Sequence, residues 1–156
     1  MHTLSKQTIW RGRFFRYAPL LLWMGVIFLL SSNVGAASNT SLIIRPLLLW
    51  LFPDITEPSI QAVQFYVRKT AHFTEYAILA SLAFRALRNS SYPVLKNWPF
   101  LFSLALVILT ASADEFHQGF VASRTSSPYD SLLDTVGGLT ALVVIWLFSR
   151  KKPEKR

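Results

Sequence analysis

Four long apolar runs, each closed off by charge, dominate this chain and leave few folds open to it. They cover about 17–33, 70–88, 98–114 and 131–149. At ~1.5 Å per residue, helices of roughly 16 to 19 residues cross most of a bilayer core, with polar flanks supplying the remainder. Backbone immersed in lipid must satisfy its own hydrogen bonds, so each run is predicted to be a helix. Apolar residues make up 52% of the chain and charged ones 15%, a balance that excludes disorder and argues against an ordinary soluble fold. The absence of cysteine excludes a disulfide framework, thiol catalysis and sulfur-held zinc.

The expected fold is therefore all-α: an integral membrane bundle of four transmembrane helices forming one domain over 1–156. The second run is the weakest, because His72 and Glu75 interrupt it. Charge placement supports the alternation. Twelve Lys and Arg residues fall before the first span (Lys6, Arg11, Arg13, Arg16), between the second and third (Arg85, Arg88, Lys96) and after the fourth. Only Arg45, Arg68, Lys69 and Arg124 fall on the other side, together with seven of the eight acids. By the positive-inside rule both termini are expected in the cytoplasm, with the chain multi-pass in the inner membrane. The same rule accounts for the net charge of +8 without a nucleic acid partner. Basic residues, an apolar run and Val34-Gly35-Ala36 also imitate a secretory signal with cleavage after Ala36, although the segment reads equally well as an anchor.

Between the first two spans, 41–52 is apolar but too short to cross, and it carries Arg45-Pro46. It is expected to form an interfacial helical segment on the outer side, where Trp50 and Phe52 suit the headgroup region. A plain spacer loop is the alternative. Beyond Pro58, Ile60, Val63 and Val67 recur at helical spacing toward the second span.

The chemistry collects at the outer ends of the spans. His72, Glu75 and Tyr76 share a helix face, and Glu75 lies ~10 Å along the axis from Arg68. An unpaired carboxylate at that depth costs about 3 kcal/mol even on mild scales, so it needs a partner, a proton or a wet cavity. On the third span Asp114, His117 and Gln118 share a face while Glu115 is expected to point about 100° away. Asp130 and Asp134 open the fourth span, on a stripe that continues through Gly137, Gly138 and Ala141, small residues that admit a close neighbour. Arg68, Lys69 and Arg124 face Glu75, Asp114, Glu115, Asp130 and Asp134, which leaves a formal charge of −2 for protons or a cation to offset.

Arg68-Lys69-x-x-His72-x-x-Glu75-Tyr76, Asp114-Glu115-x-His117-Gln118, Arg124, and Asp130-x-x-x-Asp134-x-x-x-Gly138 resemble the successive motifs of the VanZ-like membrane proteins. Phe28-Leu29-Leu30-Ser31-Ser32 is similar too, so the resemblance covers most of the chain. It departs at Asp134, where the family often has Asn, and at Ala122-Ser123 in place of a Pro-Gly turn. The resemblance implies a small bacterial multi-helix membrane protein of the cell envelope. The family's namesake is associated with resistance to the glycopeptide teicoplanin, but no accepted reaction comes with the name.

Three readings of the cluster follow. In the first, the ions merely pair and fix helix register, giving a non-catalytic scaffold. In the second, the protein is an enzyme acting on an envelope lipid or lipid-linked precursor. His72 or Glu75 would then be the general base, Asp114 would orient a histidine, and Arg124 with Lys69 would hold a phosphate. In the third, the cluster is a pocket for a lipid headgroup or glycopeptide, or a proton-coupled conduit built on Glu75 and Asp134. Arg68, Lys69, Tyr76, Glu115, His117, Gln118, Asp130 and Asp134 are the expected binding residues. Whether a reaction is catalysed stays open. No cofactor is implied, although the i, i+3 pairs His72–Glu75 and Asp114–His117 have a spacing that lets one helix face offer two metal ligands.

Overall fold

The computed structural model describes residues 2–32, 37–121 and 127–150, with side chains placed over 12–32, 39–121 and 127–149. The cleavage motif at 34–36 and Arg124 lie outside the described residues. The described chain is helical throughout, without strands. Its helices are α1 (His2–Ser31), α2 (Ala37–Leu51), α3 (Glu57–Arg88), α4 (Pro93–Asn97), α5 (Pro99–Gln118) and α6 (Pro128–Arg150). Proline sits in the first turn of α3, α4, α5 and α6, where its missing N–H costs nothing and its fixed φ suits the helix.

Three stretches, Gly12–Ser31, Pro99–Gln118 and Pro128–Ser149, are long and apolar enough to cross a membrane, which marks the chain as a membrane protein. They carry the large exposed apolar side chains expected of lipid-facing helices, such as Leu22, Leu109 and Phe148, each about 70% exposed. The expected second span is not among the three. It forms the lower part of α3, a 32-residue helix about 48 Å long at ~1.5 Å per residue. That helix packs against α1, α2, α5 and α6 and supplies most of the buried core: Tyr76, Leu79, Ala80, Ala83, Phe84 and Ala86. Enclosed by neighbours, it carries polar groups that a lipid-facing helix could not.

The expected interfacial segment is a helix, α2, which begins four residues earlier than the sequence pattern indicates and runs to Leu51. It is tied to the upper part of α3 by Gln64 Nε2 donating to Ser41 Oγ at 3.1 Å and by the Arg45–Glu57 ion pair. Leu42, Ile43 and Trp50 point outward from it, all more than 70% exposed.

At the opposite end, Arg16 donates to Ser91 Oγ at 3.2 Å and Tyr17 OH to Ser90 Oγ at 2.9 Å. Arg85 reaches the Phe15 carbonyl at 3.1 Å. This clasp holds α1 against the turn between α3 and α4. Tyr17→Phe is expected to cost about 1 kcal/mol, the usual net worth of one such bond, read as a lower melting temperature in detergent. An unchanged melting curve would show that the clasp does not hold the bundle.

Helix α6 is seated tightly on α3 and α5. A Cβ added at Gly137 would stand 2.4 Å from the Phe73 carbonyl oxygen, and one at Gly138 would meet Val107 Cγ1 at 2.7 Å. Gly137 lets the α6 backbone meet that of α3, Gly138 makes room for Val107 of α5, and Asp134, about one turn before them, is carried into the core beside His72.

Candidate functional site

Helix α3 positions the site. Arg68, Lys69, His72, Glu75 and Tyr76 occupy its middle turns, just above the packed core. From α1, Trp23 Nε1 donates to the Glu75 carbonyl oxygen at 2.9 Å, fixing the turn that carries the carboxylate. An indole placed in an apolar run needs an acceptor, and this backbone carbonyl supplies it.

Two cavities flank that stretch of α3. One, of about 240 Å³, lies between α1, α2, α3 and α5. Its polar wall is Arg68, His72, Glu75 and Asp114 with the buried Ser31 hydroxyl, the half-buried Thr40 lies at its rim, and Ile27, Leu30 and Ala71 form an apolar wall. The other, of about 220 Å³, lies between α3 and the start of α6 and is lined by Phe65, Arg68, Lys69, His72, Ser127 and Asp130. Arg68 and His72 belong to both and form the partition between them.

The carboxylates divide into two groups. Asp130 is paired with Lys69, whose ammonium also lies 5.3 Å from the Phe65 ring centroid. Glu115 accepts a hydrogen bond from the Ser127 backbone N–H at 2.8 Å, so it tethers the entry to α6. These two pairs hold helix ends together. Asp114 and Asp134 are placed differently. Both are buried, at 2% and 0% exposure. Asp114 Oδ2 accepts from Gln118 Nε2 at 2.8 Å, and His72 Nδ1 stands 3.3 Å from Asp134 Oδ1. Among the described residues, Asp114 Oδ1, both Asp134 oxygens, the Tyr76 hydroxyl and Arg68 Nε have no aligned hydrogen-bond partner.

Thus the structure brings Arg68, His72, Glu75, Tyr76, Asp114, Gln118 and Asp134 together around the partition, and places Lys69, Glu115 and Asp130 in ties beside it. His117 is set apart: it is exposed, and its ring packs edge-on against Phe28 with centroids 6.3 Å apart. The expected grouping of Asp114 with His117, and of Glu115 away from both, is therefore replaced by a packed face of Val107, Ala111, Asp114, Glu115 and Gln118. The small residues Ser103 and Ala111, both fully buried, lie on that face and signal a close neighbour. Ser31, Thr40 and Ser127 join the cavity walls without a site signal in the sequence. Short hydroxyl side chains next to helix ends carry little signal of their own.

An all-helical membrane protein with a buried polar cluster beneath one end of its helices is the class that this geometry defines. A family model described as VanZ/LLP1 matches residues 16–149, nearly the whole chain, and the protein belongs to that family. No curated protein and no solved structure matches it.

Proposed function

We propose that this protein is a four-span inner-membrane protein whose outer-face cavity binds the phosphate-bearing headgroup of a cell-envelope lipid or lipid-linked precursor. The observation that carries the proposal is the two-sided cavity of about 240 Å³, polar on α3 and α5 and apolar on α1. An amphiphile needs both walls: a charged one for the headgroup and an apolar one for the start of its chains. Arg68 is the phosphate donor, and its guanidinium suits paired hydrogen bonds to phosphate oxygens. His72 and Glu75 face the same space and are the groups available for proton transfer if the bound lipid is turned over. Helix α2 lies over the cavity as an interfacial cover, with its exposed leucines and Trp50 directed into lipid.

The fourth span in this reading is 70–88 of α3. Its polar residues are shielded by α1, α5 and α6, which is why hydropathy passes it over. With both termini cytoplasmic, the Arg16, Arg85 and Arg88 end lies inside and the cavity lies outside. A scaffold reading draws on the Lys69–Asp130 and Glu115–Ser127 ties, which need no ligand.

Lipid retention tests the proposal. Native mass spectrometry of protein extracted in mild detergent is expected to show one phospholipid or lipid-linked phosphate per chain. Arg68→Gln is expected to weaken it about tenfold, the loss of a single charge-assisted contact. Wild-type protein that carries no phosphate-bearing lipid would defeat the reading.

A further inference from the structure

We infer that His72, Asp114 and Asp134 form a binding site for one divalent transition-metal ion, Zn²⁺ or Mn²⁺, at the inner edge of the cavity. Each residue comes from a different helix, α3, α5 and α6, and each offers one donor atom, all within 4.8 Å of one another. A cation about 2.1 Å from each donor would hold neighbouring donors about 3 to 4 Å apart, so the set closes on an ion with small rotamer changes.

Three further observations point to a ligand and not merely to packing. Asp134 is completely buried, and its Oδ2 has no hydrogen-bond partner among the described residues. His72 Nδ1 stands 3.3 Å from Asp134 Oδ1, a direct contact between α3 and α6 that engages one oxygen of that carboxylate. Asp114 is held through Oδ2 by Gln118, which leaves Oδ1 directed into the cluster. An outer amide that orients an inner carboxylate is the usual support of a metal ligand.

Charge agrees with this arrangement. A dication, two carboxylates and a neutral imidazole sum to zero. One nitrogen and two oxygens suit ions of intermediate hardness over Cu⁺, which prefers sulfur, and over Mg²⁺, which prefers oxygen alone. Three protein donors leave coordination positions free on the cavity side, since His72 and Asp114 both line it.

The test uses full-length protein in detergent, stripped with chelator and then titrated with ZnCl₂, MnCl₂ or MgCl₂. One equivalent of Zn²⁺ or Mn²⁺ is expected to bind and to raise the melting temperature, with Mg²⁺ much weaker. Asp134→Asn and His72→Gln are each expected to weaken binding by about tenfold or more. Arg85→Gln, at the far end of α3, is expected to leave it within a few-fold. Should a substituted variant fold poorly, Mn²⁺ bound to the wild type gives an independent readout, because its paramagnetic resonance spectrum should carry coupling to one imidazole nitrogen. The inference is overturned by a melting curve that is the same in metal as in chelator. Binding that survives both substitutions, or a Mn²⁺ spectrum without nitrogen coupling, overturns it equally. None of these results depends on whether lipid binds.

Discussion

Adding one methyl group at Gly137 is expected to be among the most damaging small changes in the molecule, costing about 3 kcal/mol or more, the upper range for overpacking. The new Cβ would stand 2.4 Å from the Phe73 carbonyl oxygen, and backbone cannot rotate away as a side chain can. Helix α6 must therefore back off from α3, and Asp134, about one turn earlier, withdraws from His72. Gly138→Ala should cost less, because its nearest obstacle is the Val107 side chain. Gly25→Ala, with nothing within 4 Å, should melt with the wild type. Thermal unfolding of the three variants in one detergent gives the order. If Gly137→Ala proved as stable as Gly25→Ala, α6 would not be seated on α3 as described.

The second large effect is on function and not on stability. Glu75→Gln is isosteric, His72→Gln and Arg68→Gln keep a polar side chain no larger than the original, and all three sit at a cavity, so the fold is expected to survive them. Lipid retention, and whatever envelope phenotype the host shows, is expected to fall by about tenfold or more. Glu115→Ala should do the reverse: losing the tether to the Ser127 N–H costs about 2 kcal/mol of stability and reaches the site only through folding. Arg85→Gln, at the far end, should leave binding unchanged. If the variants at 68, 72 and 75 lose function only where they also melt early, the cluster is an ion-paired scaffold.

Much of this arrangement is legible in the sequence because the physics is local. The apolar runs mark α1, α5 and α6, the spacing beyond Pro58 marks the upper part of α3, and an i, i+3, i+4 spacing places His72, Glu75 and Tyr76 on one side of α3, whereas the short α4 has no apolar pattern to announce it. The stripe from Asp134 through Gly137 and Gly138 reads directly as a close helix contact. What is hidden depends on neighbours. On α5, spacing from Asp114 points to His117 on the packed face and Glu115 off it, but the side that α3 and α6 approach takes Glu115 in and leaves His117 out. His117 is displaced onto Phe28, while Glu115 turns inward to hold Ser127. Pairing across helices is hidden in the same way. The i, i+3 pairs suggest metal ligands within one helix, yet the donors that converge are His72, Asp114 and Asp134 on three. The weak hydropathy of 70–88 likewise has its cause in tertiary structure, since the central helix of a bundle meets protein and not lipid.

The most direct test of the account is the modification of a single cysteine at Thr40, on the rim of the cavity, in a chain that has no cysteine of its own. A membrane-impermeant thiol reagent should reach Thr40→Cys from the outer side of intact cells. Labelling in detergent should slow when a phosphate-bearing lipid is added, and that protection should vanish in the Arg68→Gln background. Labelling from the cytoplasmic side alone, or at a rate that the lipid does not change, would contradict an outer-face headgroup site.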